Sequence, residues 1–376
     1  MNEKTEAETR WRGNPANPIP VWLCCDTGHD DAFAILLAAQ SPALKLLGVS
    51  TVYGNAPLSK TTYNTRAILK AIDREDVPVY PGASKPFCRE AAAAPDIHGE
   101  SGLDGTTHLP EPTVPAKTEP AVLAMYKALI SQPPKTAWLV AVGAMTNVAL
   151  LFAVYPDLAD HIAGLSIMGG AVGGGFTDAP MGKIEGEGER VGNWSRWAEF
   201  NIYIDPESAH AIFSNPILAE KTTIAPIDLT HQMIATPEVI DNLLHGYGSQ
   251  RENSVLRVLF KQILTFFAKT YADVFALVEG PPLHDPLAVA ACFVPDLFND
   301  EGGERFSVNV ITAGEHGVDE ITRDNSQCGR TVVSKLPEGE AGVRIPRGLR
   351  ASVIWRILDL CMKQAEGENP KQVEAA

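Results

Sequence analysis

Three carboxylates fall within six positions near the start of the chain: Asp26, Asp30 and Asp31, in the run PVWLCCDTGHDDAFAILLAA at residues 20–39. Ionised carboxylates held this close repel one another and burial adds to the cost, so the cluster must stay wet, take up protons or hold a cation. A hard cation is the economical solution. The competing reading is structural: Asp30 and Asp31 open an apolar helix, where free N–H groups and the helix dipole favour negative charge. That reading accounts for Asp30 more readily than for all three.

Other groups able to do chemistry recur down the chain, most of them just after an apolar run. Asn55, in VYGN, offers both a donor and an acceptor, as a hydroxyl-rich ligand requires, although a lone asparagine is commonly a turn residue. His98 opens HGESGLDG, which reads equally as a glycine turn or as a loop that folds over a substrate. The Val142 carbonyl ends a strand and could face the acidic turn, since calcium accepts backbone oxygens beside carboxylates. Met168 opens MGG after the next run. Glu199 and Asn201 stand two apart on what reads as an extended segment, so they either address one ligand together or form a solvated strand edge. Asp285 suits an N-cap ahead of Pro286, and His284 suits a surface histidine. Tyr271 and Phe275 are candidates for a ligand's far side, with ordinary helix packing the simpler account. Each signal is weak singly; together they put carboxylates, amides and a histidine at several strand ends.

The elements that must position these groups alternate. Strand-like runs at 21–23, 44–52, 137–142, 164–168 and 221–225 are followed by helix-like runs at 32–39, 61–72, 147–153, 206–213 and 237–271. Such alternation predicts an α/β fold: an open, mostly parallel sheet with helices on both faces, whose ligands bind beyond the carboxyl ends of the strands. Shorter strands are expected at 306–312, 320–323 and 331–334, then a helix near 349–363, as an edge elaboration of one domain spanning 17–364. Residues 1–16 and 365–376 read as disordered ends. The glycine-rich stretch 173–196 exceeds ordinary loop length, which predicts a functional flap or a mobile insertion.

Composition sets outer bounds. The 376 residues, 45% of them hydrophobic, can build a large core, and a formal charge of −15 argues against nucleic-acid or anionic-membrane partners. With no apolar leader and no run of roughly 18 apolar residues, a cytoplasmic protein acting on a small molecule is the expectation. The six cysteines lack CxxC spacing and read as reduced, with Cys24 and Cys25 as small buried residues.

Seven segments in order, CCDTGHDDAFAILLAA, VYGN, HGESGLDG, MGG, AEFN, PIDLTHQ and HDPLAVA, resemble the inosine–uridine preferring nucleoside hydrolase family, in particular its fungal uridine and purine nucleosidases. The family's first-strand signature is DxDPGxDD. The resemblance implies a tightly held calcium ion, hydrolysis of the N-glycosidic bond of ribonucleosides to free base and ribose, and a homodimer or homotetramer. It assigns calcium to Asp26, Asp31, Asp285 and the Val142 carbonyl, with Asp26 also deprotonating a calcium-bound water. It assigns ribose hydroxyls to Asp30, Asn55, Glu199 and Asn201, the sugar pocket to Asn193 and Met168, base protonation to His284 and loop closure to His98.

The chain departs from the signature at Cys24, where the family has aspartate, and at Thr27, where it has proline. Changes around a metal ligand cost about 10–100-fold in affinity or activity, so a catalytically weakened nucleoside- or ribose-binding member is the alternative reading. A third reading takes Asp26 as a phosphatase nucleophile, for which no partner motif is present.

Overall fold

The computed structural model describes residues 2–182, 190–248, 254–316 and 326–367. Strands β1 (Ile19–Cys25), β2 (Leu44–Thr51), β3 (Val79–Pro81), β4 (Trp138–Ala141), β5 (Gly164–Met168) and β6 (Thr222–Ala225) form one sheet, in the order β3-β2-β1-β4-β5-β6. Every pair is parallel. Helices cover both faces, so burial runs along β5 and β6 instead of alternating; all five residues of the first and all four of the second are buried.

Within β1 the alternation appears as a choice between two cores. Val21, Leu23 and Cys25 pack into one with the His29–Gln40, Pro286–Phe293 and Ala351–Glu366 helices, while Trp22 and Cys24 pack into the other with the Ala121–Ile130 and Thr146–Val154 helices. The chain runs from β1 outward to β2 and β3, then returns to place β4 on the opposite side of β1. That reversal opens a crevice beyond the carboxyl ends of β1 and β4, the usual ligand position in such sheets.

Several expectations need correction. Residues Glu3–Arg12 are a helix, not a disordered arm. Asn2 caps it, Ala7 is buried in the first core, and Glu6 and Arg10 pair with Arg350 and Asp296 of distant segments. The polar composition hid a single anchoring stripe. The last helix continues to Glu366, whose carboxylate takes a 2.9 Å bond from the buried Arg257, and residues 368–376 lie outside the described residues. The expected 237–271 helix is two, Pro237–His245 and Val255–Phe275. The short β3 and the Ala121–Ile130 helix were not anticipated. Phe306–Val310 and Thr331–Lys335 pair as an antiparallel hairpin; the strand expected at 320–323 lies outside the described residues. Among the described residues, no helix is long and apolar enough to cross a membrane.

Candidate active site

Asp26 stands one residue past β1, and Asp30 and Asp31 occupy the first turn of the His29–Gln40 helix. Asp285 caps the Pro286–Phe293 helix from across the crevice. The two helix starts bring oxygens of Asp30, Asp31 and Asp285 within 4.8 Å of one another. Asp31 is held rigidly: its Oδ1 accepts from Asp26 N at 3.1 Å, and its Oδ2 from Gly28 N at 2.8 Å and Asn55 Nδ2 at 3.1 Å. Asp26 Oδ2 accepts from Asn55 N at 2.8 Å, but its Oδ1 is buried with no hydrogen-bond partner. A Cβ at Gly54 or Gly143 would lie 1.9 or 2.4 Å from the Asp26 carboxylate, so only glycine lets these two loops close on it.

Burial dominates the electrostatics. It raises Asp26, with the Asp31 charge next, and raises Asp285, with the Asp30 charge next, both well above the carboxylate range. For the same first cause Asp30 rises to about 8 and Asp31 to about 6. An orphaned carboxylate oxygen beside three crowded carboxylates, with no cationic side chain hydrogen-bonded to them among the described residues, fits a hard divalent cation held by oxygen ligands.

Above this floor, one cavity is lined by Asp30, Asn55, His98, Val142, Met168, Asn193, Glu199, Asn201, His284 and Asp285. Ten of the twelve residues that the family resemblance assigns thus share one surface, and the other two, Asp26 and Asp31, lie directly beneath it through their bonds to Asn55. Glu199 and Asn201 reach it by a different route from the extended segment expected. Glu199 caps the one-turn helix Phe200–Tyr203, accepting from Asn201 N and Ile202 N, and burial lifts its pKa to about 7. Asn201 Nδ2 donates to the Val142 carbonyl at 3.2 Å and to Met168 O at 3.3 Å, tying the ends of β4 and β5 together. Asn193, from the described part of the 173–196 stretch, accepts from Phe200 N and hydrogen-bonds the Tyr271 phenol.

The opposite wall is aromatic. Phe267, Tyr271 and Phe275, at i, i+4 and i+8 of one helix, line the cavity together with Trp194 and Phe200. Tyr271 is more than helix packing: its hydroxyl lies 2.7 Å from His284 Nε2, while His284 Nδ1 lies 2.6 Å from Thr230 Oγ1. Burial, with His231 nearby, keeps the His284 pKa well below its ordinary value, so the ring is neutral. His231 itself fastens the 173–196 stretch by a 2.6 Å bond to the Pro180 carbonyl. Cys24 is fully buried, its sulfur 3.5 Å from Asn147 Nδ2.

Phe267 and His29 escaped sequence reasoning, and Tyr271 and Phe275 were weighed against ordinary helix packing. The Phe267–Tyr271–Phe275 stripe has helical spacing, which marks one face without saying what that face meets. His29 passes as a helix-start residue, yet contacts His98 ring to ring.

A sheet of this order with a buried acidic floor and an imidazole–phenol pair facing it across one cavity defines a glycosidase-like hydrolytic site, and the comparisons agree. A profile of the inosine-uridine preferring nucleoside hydrolase family matches residues 21–356, and the chain belongs to that family, whose members are enzymes that hydrolyse ribonucleosides. It is 42% identical to the uridine nucleosidase of Saccharomyces cerevisiae over 341 residues, covering 90% of this chain and 94% of the relative. It is 37% identical to a pyrimidine-specific ribonucleoside hydrolase of Escherichia coli, covering 79% and 86%. Among solved structures, the purine-preferring ribonucleoside hydrolase of Gardnerella vaginalis superposes with a TM-score of 0.73 at 25% identity, over 92% of this chain and 99% of the other.

Proposed function

We propose that the protein hydrolyses the N-glycosidic bond of ribonucleosides, uridine foremost, to free base and ribose in a calcium-dependent reaction at this cavity. The observation that carries the proposal is the pairing of a partnerless buried carboxylate oxygen on Asp26, beneath the cavity, with the Tyr271–His284 couple that lines it. Uridine is chosen because the yeast relative, 42% identical, bears that activity in its name.

Asp26, Asp31, Asp285 and the Val142 carbonyl would hold the ion. When bound there, calcium supplies positive charge that fixes ribose hydroxyls and acidifies a water. Asp26 Oδ1, with no protein donor to satisfy, takes the proton from the attacking water. Asp30, Asn55, Glu199 and Asn201 orient the ribose by hydrogen bonds to its hydroxyls, so losing a hydroxyl costs turnover as well as affinity. As the bond breaks, positive charge grows on the ribosyl ring, and the carboxylates of Asp30 and Glu199 stabilise it at close range. The departing base needs a proton. Tyr271 and His284 hold one between Oη and Nε2 at the aromatic wall and deliver it there.

The test is product analysis with purified protein. Uridine should yield uracil and ribose in equal amounts, and 2′-deoxyuridine should turn over at least tenfold more slowly. Nucleoside retained on the protein without ribose release would overturn the proposal in favour of a binding role.

A further inference from the structure

His29, between Gly28 and Asp30, has no part in the steps above, yet it is 1% exposed and stacks on Phe266 and Phe267 with ring planes within 5° of parallel. Its Nε2 lies 2.9 Å from the Asp104 carbonyl oxygen, and its Nδ1 lies 3.1 Å from Nδ1 of His98. A carbonyl oxygen can only accept, so His29 Nε2 carries a proton. The ring is buried against two phenylalanine rings, and its two nitrogens meet only the Asp104 carbonyl and His98 Nδ1, so no carboxylate compensates a second proton; the ring is neutral and its Nδ1 bare. The single proton between the two Nδ1 atoms therefore sits on His98, which donates it. His98 is itself buried, packed against the His29 and Phe267 rings with no carboxylate hydrogen-bonded to it among the described residues, so it too is neutral. Its remaining ring nitrogen, Nε2, must then be an unprotonated acceptor on a ring that lines the cavity. A Cβ at Gly28 would lie 2.5 Å from His98 Nδ1, so glycine is what lets the two rings meet.

We infer that His29 is a positioning residue: it locks His98 in the tautomer with a bare Nε2, so that the cavity presents a fixed hydrogen-bond acceptor and selects a nucleoside group that donates, either a ribose hydroxyl or a base N–H. The selectivity rests on the nucleoside hydrolase reading; the tautomer does not. Neutral histidine takes either tautomer in water, and the Asp104 carbonyl removes that freedom at one remove, by fixing His29 first.

Two measurements test this separately. In full-length protein labelled with [15N]histidine, with and without calcium, the His98 spectrum should show a protonated Nδ1 and a bare Nε2. His29→Leu should abolish that pattern, and His29→Asn, whose side-chain oxygen can occupy the accepting position, should restore it. A His98 Nε2–H in the wild-type protein, or an unchanged pattern in folded His29→Leu, overturns the inference; if His29→Leu fails to fold, the wild-type spectrum decides alone. Kinetics then locate the donor. Against uridine, 5′-deoxyuridine lacks a ribose donor and 3-methyluridine lacks the base N–H. Whichever donor His98 reads, its loss should raise KM roughly two- to tenfold in the wild-type protein and have little effect in His29→Leu. Penalties equal in both proteins for both analogues would refute the selective role even where the spectrum holds, and absence of turnover with uridine itself would instead sink the function proposed above.

Discussion

Replacing Asp285 by asparagine removes one carboxylate from the floor while keeping its shape, and its effect should reverse sign with calcium. Asp26, Asp30, Asp31 and Asp285 are each at most 5% exposed, so nothing but a cation or protons can relieve their mutual repulsion. A cation that binds only the folded state, present at 100 times its Kd, adds about 2.7 kcal/mol of stability. At about 2 °C per kcal/mol for a chain of this size, that raises the melting temperature by roughly 5 °C. Loss of the Asp285 charge should weaken binding by about 100-fold, the upper end of what even indirect partners of a metal cost. At the same calcium concentration, about 0.4 kcal/mol then remains, a shift under about 1 °C. In chelator the order inverts: the variant lacks a repelling charge and should melt no lower than the wild-type protein. pH adds a second signature. With Asp30 raised to about 8, the metal-free folded state binds a proton that the unfolded chain releases near pH 4. The stability due to that proton is therefore full at low pH and is lost as pH rises toward 8, by about 1.4 kcal/mol per unit. Thermal melts of both proteins at several pH values, with calcium and with chelator, read all of this. An Asp285→Asn protein that keeps the full calcium shift would refute the reasoning.

Three further outcomes follow from particular contacts. Asp26→Asn should fold, because the side-chain oxygen can still accept from Asn55 N, yet lose about 100- to 10,000-fold in kcat on uridine. Tyr271→Phe, which breaks the 2.7 Å bond to His284, should slow uridine hydrolysis while sparing p-nitrophenyl riboside, whose leaving group departs without a proton; equal losses on both would remove Tyr271 from base activation. Arg257→Met strands Asp359 and Glu366, bonded at 2.8 and 2.9 Å to a guanidinium only 1% exposed. That should cost about 3–5 kcal/mol in denaturant unfolding while leaving KM unchanged, since none of the three lines the cavity and both acids belong to the last helix.

What could be read from the residues divides along physical lines. Positions after strands were legible because apolar runs of strand length alternate with helical periodicity, which fixes where loops begin; β5 and the Pro206–Phe213 helix fall at the expected bounds. The acidic floor was legible because crowded carboxylates have few cheap solutions. Glu199 and Asn201 were correctly grouped for the wrong geometric reason, since a one-turn helix and a period-two segment cannot be told apart over four residues. Tyr271 was undervalued: a helix face that meets a cavity carries the same periodicity as one that meets a core. His29 left no trace at all, because its role depends on a carbonyl 75 positions away that any residue could supply. The Glu3–Arg12 helix was hidden for the converse reason, an almost wholly polar surface anchored by one alanine and a few ion pairs.

The account turns on an ion gripped by the buried carboxylates during ribosyl hydrolysis. Its most direct test is ribose release from uridine by protein stripped of metal with chelator, its metal content checked by elemental analysis, before and after calcium is returned. Stripped protein should release no ribose above the uncatalysed rate, and calcium should restore turnover. Undiminished ribose release from protein shown to be metal-free would contradict the central claim.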